Sequence, residues 1–178
     1  MTQHRFFAAC LGTAIALLGT PAGAQTPPAT ATQVSPAAYV VSGWRVECAT
    51  AGSALACQAL DQVTARANNG VIASVSITLA PDGKTPYVLV TTPLGVAVDS
   101  SIRMTMPSGP NQTLAFLTCN GNGCFGRAAL SDSMLTAMRS TNQTLTITYD
   151  SLNGNLVKQS ISITLALDGF PAAYNKLH

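Results

Sequence analysis

Thr144-Leu145-Thr146-Ile147-Thr148-Tyr149, then Leu152-Asn153-Gly154-Asn155, then Ser160-Ile161-Ser162-Ile163-Thr164-Leu165 is the stretch whose reading decides the fold. In both flanks apolar and hydroxylated residues alternate, which is the period of a strand with one buried face. Asn-Gly between two such runs is the strongest short-range hairpin signal. The stretch therefore predicts an antiparallel pair. Leu145, Ile147, Tyr149, Val157, Ile161, Ile163, Leu165 and Leu167 face the core, and Thr144, Thr146, Thr148, Ser160, Ser162 and Thr164 face away.

The same pattern extends outward along the chain. Trp44, Val46 and Cys48 alternate with Arg45 and Glu47. Val71, Ala73, Val75, Ile77 and Leu79 alternate with Ser74, Ser76 and Thr78. Ile102, Met104 and Met106 alternate with Arg103 and Thr105, and Leu114–Cys119 gives a further strand. Tyr87–Thr92 is a nearly continuous apolar run, which suits a central strand. Gly121, Gly123 and Gly126 read as turn glycines. Two short helices are predicted. Ser131 caps the first, over 132–139, with Met134, Leu135 and Met138 on its apolar face. Asp168 caps a terminal one, with Pro171 in its first turn and Phe170, Ala173, Tyr174 and Leu177 on one side. Short strands punctuated by turns, without strand–helix–strand alternation, predict an all-β antiparallel sandwich or barrel.

The N-terminus predicts export. A positively charged start precedes an apolar run over Phe6–Gly19, and Ala22-Gly23-Ala24 supplies the small residues of a cleavage site. Residues 1–24 are read as a signal peptide, cleaved after Ala24. The rival reading, a membrane anchor, needs about 20 apolar residues, more than the run offers. Residues 25–41, rich in Pro, Thr and Ala, read as a disordered tether, and 42–178 as a single β-sandwich domain. Nine Lys and Arg against seven Asp and Glu give a net charge of only +2. That leaves no electrostatic footprint for nucleic acid and no polybasic segment for anionic lipid. After leader cleavage no integral membrane span is expected.

With Cys10 in the leader, Cys48, Cys57, Cys119 and Cys124 remain. An even count in an oxidising compartment predicts two disulfides. Of the three pairings, Cys48–Cys57 and Cys119–Cys124 each close a short, turn-rich loop. A zinc site is the alternative, but the spacings fit the usual ligand patterns poorly. Catalytic chemistry finds little material. The histidine outside the leader is His178, the last residue, where the chain frays and no base is held in place. The carboxylates Glu47, Asp61, Asp82, Asp99, Asp132, Asp150 and Asp168 sit mostly in turn and cap contexts. A hydrolase would need two of them to converge across the fold. No catalytic, cofactor-binding or metal-ligating residue is assigned, and no cofactor is expected. Trp44 reads as core packing before ligand stacking. Charged residues are only 9% of the chain against about 25% in typical domains. The uncharged Ser/Thr strand faces are therefore candidate interaction surfaces.

Four segments in order carry a family resemblance. Trp44-Arg45-Val46-Glu47-Cys48 with Cys57-Gln58, then Pro93-Leu94-Gly95-Val96, then Cys119-Asn120-Gly121-Asn122-Gly123-Cys124, then Gly169-Phe170 with Ala173, resemble the invasion-associated locus B proteins. The segment over 96–100 departs from that pattern, lacking a leucine-rich, proline-containing stretch. The resemblance covers roughly residues 42–177. It implies an exported bacterial envelope protein with an immunoglobulin-like β-sandwich, associated with host-cell invasion and with no established reaction. The expectation is a periplasmic or secreted, non-catalytic interaction module whose partner is an envelope or host-surface protein. The alternative is a periplasmic carrier of a small apolar ligand held between the sheets. Oligomeric state is not read from the sequence.

Overall fold

The computed structural model describes residues 32–33, 35, 38–51, 54–107 and 109–178. The signal peptide expected over 1–24 lies outside them. Eleven strands and two short helices follow in order: β1 Thr32–Gln33, β2 Tyr39–Val41, β3 Arg45–Ala51, β4 Ala54–Ala65, β5 Val71–Leu79, β6 Pro86–Thr92, β7 Ser101–Thr105, β8 Asn111–Asn120, β9 Gly123–Ala129, α1 Asp132–Met138, β10 Thr144–Leu152, β11 Lys158–Ala166 and α2 Phe170–Tyr174. Two short strands lie ahead of residue 42. Tyr39–Val41 pairs with β4, and Thr32–Gln33 lies parallel to β11 at Ile161–Ser162. Tyr39 is buried, and its apolar ring explains why this part of the expected tether joins the core.

All strands form one hydrogen-bonded path, β1-β11-β10-β7-β8-β9-β6-β5-β4-β2, with β3 also on β4. The fold is mostly β, as the alternation predicts. It is a single curled sheet, however, and not two separate ones. The reason is β8, whose first half pairs with β7 through Ala115 and whose second half pairs with β9 from Phe116 onward. The two ends of the ribbon are sewn together by side chains. Tyr39 Oη donates to the Thr164 carbonyl at 3.3 Å, and Trp44 Nε1 donates to the Ala166 carbonyl at 3.2 Å. These carbonyls lie two residues apart, on one edge of β11. Across the interior Tyr149 Oη donates to the Ile72 carbonyl at 2.9 Å, and burial pushes its phenol up to about 12.

The decisive hairpin pairs as its alternation predicts, Leu145 with Leu165 and Ile147 with Ile163. Its turn differs. β10 and β11 are joined by the five residues 153–157, in which Leu156 takes the left-handed conformation at φ +59°. Asn153 Oδ1 accepts from the N–H groups of Asn155 and Val157, both at 3.0 Å, so Asn153 organises the turn through its side chain. Ser131 caps α1 through the Met134 N–H, and Met134 and Met138 are fully buried. Asp168 caps nothing. The N-cap of α2 is Gly169 at φ +86°, because the chain must swing sharply from β11 into the helix and a left-handed residue makes that bend. The helix ends at Tyr174 and passes into a 3-10 turn over Asn175–Leu177. Gly126 is no turn glycine. It is buried within β9, and a Cβ there would lie 2.7 Å from Ile102 Cδ1.

Candidate functional site

The strand order gives the molecule two ends, each with one cystine. One end gathers the β8–β9 turn, the segment 93–100 and the β10–β11 turn. The 93–100 segment is fastened along β10, with Ala97 N donating to the Asp150 carbonyl and Leu152 N to the Gly95 carbonyl. Leu94, Val98, Leu117, Leu156 and Val157 all stand more than half exposed at this end. Val98 and Leu117 share a surface hollow of about 390 Å³ with Phe116 and Thr118. Two of the five rest on irregular backbone. Leu117 is the extra residue of a β-bulge, since Phe116 faces Gly126 and Thr118 faces Phe125. Leu156 is 77% exposed at a positive φ, where an L residue is strained by about 1–2 kcal/mol. Leu94, Val98 and Leu156 lie in connections, which carry no periodic signal, and Val157, expected on the core face of its strand, instead lies in the turn before β11 and is exposed.

The same end brings together the nearest approach to a reactive cluster. Lys158 Nζ lies 2.7 Å from Asp99 Oδ2 and 3.3 Å from Ser100 Oγ, while Ser100 Oγ donates to Asp150 Oδ2 at 2.8 Å. A serine–lysine nucleophile requires a neutral lysine. Here the hydrogen bond from Lys158 holds the Asp99 carboxyl below its ordinary value, and Lys158 Nζ is engaged by that carboxylate as an ion pair. The cluster is a clasp that ties the 93–100 segment to the hairpin.

The remaining carboxylates are dispersed. Glu47 pairs with Arg45 at 2.8 Å. Asp82 accepts from the Thr85 hydroxyl and from the N–H groups of Thr85 and Lys84, which lowers its carboxyl. Asp132 and Asp168 are exposed. Asp61 is the exception to the turn reading. It is fully buried on the inner face of β4, beside Ala59 and Val63. Its Oδ1 accepts from Gln62 N at 2.7 Å and Ser42 Oγ at 3.2 Å, and Oδ2 has no partner. Burial raises its carboxyl against those hydrogen bonds, a bond from the Gly43 N–H and the charge of Arg45. Asp61 thus braces residues 42–44, where the edge strand breaks between β2 and β3. Among the described residues no three His, Cys, Asp or Glu side chains gather as metal ligands. His178 is exposed, edge-on to Tyr174 with ring centroids 5.3 Å apart.

The four cysteines lie in two bonded pairs, Cys48 with Cys57 and Cys119 with Cys124, each directly opposed across an antiparallel ladder with Cα atoms 4.0 Å apart. Trp44 packs edge-on against Phe170 with ring centroids 4.7 Å apart, so its indole seals the core. The Ser/Thr face of β10 and β11 satisfies itself in part. Thr146 bonds to Thr164 at 3.1 Å and Thr148 to Ser162 at 3.2 Å, and the second pair is buried. The space between the halves of the sheet is filled by Ile77, Ile102, Met104, Leu114, Ile147 and Phe170, all fully buried.

Residues 44–178 match the family model described as invasion associated locus B (IalB) protein. The chain belongs to this family. The crystal structure of invasion associated protein b from Bartonella henselae is similar at a TM-score of 0.65 and 20% identity, over 75% of this chain and 89% of that one. At that identity the likeness is one of fold. No curated protein matches the chain. The locus B match begins at Trp44, so β1 and β2 precede the family's core, while the apolar end, both cystines and α2 lie within it. Cystines in a locus B protein point to an envelope or extracellular setting. No helix among the described residues is long and apolar enough to cross a membrane.

Proposed function

We propose that this locus B protein is an exported, non-catalytic interaction module. It acts in the periplasm or at the cell surface, and it grips an envelope or host-surface protein through the apolar end of the sheet. The observation that carries this reading is the exposed set Leu94, Val98, Leu117, Leu156 and Val157, fixed on a braced scaffold. Exposed apolar side chains in a cluster mark contact sites. A leucine at the strained position 156, where glycine or asparagine fits with less strain, points to a role outside the fold. On this reading the curled sheet is the sandwich implied by the resemblance, its halves joined through β8. The filled interior favours surface recognition over the carriage of an apolar ligand.

In-cell crosslinking followed by mass spectrometry tests the reading. Wild-type protein should give a reproducible protein adduct mapping to residues 94–98, 117 or 156–157. The combined variant Leu94→Glu, Val98→Glu and Leu156→Glu should lose it while keeping its circular dichroism spectrum, since all three side chains are exposed. An adduct that survives the triple variant, or a free monomer in wild type, overturns the assignment.

A further inference from the structure

The opposite end holds a different kind of vacancy. β4 pairs with β5 only from Gln58, opposite Thr78, onward, yet β4 begins at Ala54. Over Ala54–Cys57 its sole ladder partner among the described residues is β3. Among the described residues one edge of β4 is therefore open, because β5 leaves the sheet. Ala80 N donates to the Thr85 carbonyl and Gly83 N to the Ala80 carbonyl, turning the chain back into β6. The place where β5 would have continued is a surface slot of about 460 Å³. Leu55 and Cys57 of β4, Leu79 at the end of β5, Pro81 just beyond it, and Leu177 of the C-terminal turn line the slot.

Four features suit this slot to strand addition. An open strand edge offers unpaired N–H and C=O groups to any extended chain. Natural edges are usually blunted by charge, and residues 48–57 carry none. The cystine Cys48–Cys57 bonds the two strands of the arm, so an incoming chain meets a preformed edge and spends little ordering it. Two lysines adjoin residues of the slot in sequence. Lys84 follows the slot residue Gly83 and Lys176 precedes Leu177; both are exposed, and neither makes an ion pair among the described residues. Asp82, the acid nearest by sequence, is occupied within its own turn, and Glu47 is held by Arg45.

We propose that the open edge of β4 at Leu55–Cys57 accepts an extended, acidic segment of another protein as an added strand. Apolar side chains of that segment alternate into the slot beside Leu55 and Leu177, and its carboxylates meet Lys84 and Lys176. A second copy of this chain is disfavoured, because joining two slots brings two pairs of lysines together. The contact is separate from the apolar end, so its failure leaves the proposed function standing.

The test uses protein with both cystines intact and two fluorescein-labelled peptides. One alternates Glu with Val and the other alternates Lys with Val; binding is followed by anisotropy and amide exchange. The acidic peptide should bind at least tenfold more tightly and slow exchange within residues 55–57. Leu55→Asp, at a position 67% exposed, and separately Lys84→Glu, should each weaken it at least fivefold. Equal binding of the two peptides, protection confined to other residues, or indifference to both substitutions overturns the proposal. So does a dimer by sedimentation whose slot is already protected without peptide.

Discussion

The two cystines are the same device placed in opposite mechanical settings. Cys119–Cys124 spans a hairpin inside the sheet: β9 has β8 on one side and β6 on the other, Cys124 is 2% exposed, and Thr92 of β6 lies opposite it. Cys48–Cys57 braces an arm of two strands that overhangs the sheet, with Cys48, Ala49, Thr50, Leu55 and Ala56 exposed. A two-stranded ribbon is at best marginally stable in water. A bond that reinforces a three-strand ladder adds to structure already present. A bond across a free arm is the principal tie holding that structure. The comparison predicts which changes spread through the molecule and which stay local.

The largest effect belongs to the buried hairpin. Gly123 has φ +132°, and a Cβ there would run into the Thr92 carbonyl oxygen and lie 3.2 Å from Thr91 Cγ2. Backbone on both sides is pinned, so neither can yield. Gly123→Ala should destabilise the whole domain by about 3 kcal/mol or more, seen as a lowered denaturation midpoint with unchanged slope. Gly121→Ala, two residues away in open space, should move the midpoint by less than about 0.5 kcal/mol. Equal effects would mean that this turn is not held against β6.

Removing each cystine sharpens the contrast. Loops this short are worth roughly 2–3 kcal/mol each on the chain-entropy model. Cys119→Ser with Cys124→Ser should show that loss in global unfolding, with the buried hydroxyl at 124 adding to it. Cys48→Ser with Cys57→Ser should appear first as fast amide exchange confined to residues 46–58, with a smaller shift in Tm. A uniform rise in exchange through the sheet would contradict an independent arm.

The two hairpins also differ in how far the sequence reveals them. β10 and β11 were legible because alternation is strict and both inner faces are large and apolar. β4 was not. Its inner face reads Ala59, Asp61 and Val63, and an acid among small residues looks like a turn until the break at residues 42–44 supplies its donors. β9 was hidden by Gly123 and Gly126, which read as turns but are required by close approach to Thr92 and Ile102. The local cystine pairing followed from loop length. The apolar end did not follow from anything local, since Leu94, Val98 and Leu156 lie in connections and Leu117 becomes exposed only through a bulge. The acidic residues illustrate the same limit: context suggested caps, and the fold made one of them a buried brace.

At the apolar end, Leu156→Gly relieves the positive φ and should raise stability by about 1 kcal/mol. It should also weaken the crosslinked adduct. A variant that is more stable and still fully crosslinked would separate the strained residue from recognition.

The smallest shift is expected at the root of the arm, and its sign is what informs. Burial raises the Asp61 carboxyl, but hydrogen bonds from Gln62, Ser42 and Gly43 oppose that change, so only part of it survives. A folded value above the unfolded one means that the native state binds the proton more tightly than the unfolded chain. The contribution is then fully present below the ordinary carboxylate value of 3.8 and is lost as pH rises through the higher folded value. Asp82 and Asp99, both lowered, act in the opposite sense, and their contributions disappear as pH falls below the ordinary range. Comparing Asp61→Asn with wild type by thermal unfolding isolates the first effect. The amide keeps an acceptor for Ser42 and Gln62 but does not ionise. The variant should therefore gain on wild type over the range in which pH rises from the ordinary carboxylate value of 3.8 through the higher folded one, while the acid limb set by Asp82 and Asp99 stays in place. If the two proteins instead run parallel across that range, Asp61 is charged at no penalty. The break between β2 and β3 must then gain the missing donor for Oδ2 by local opening, and the arm would be hinged at its root.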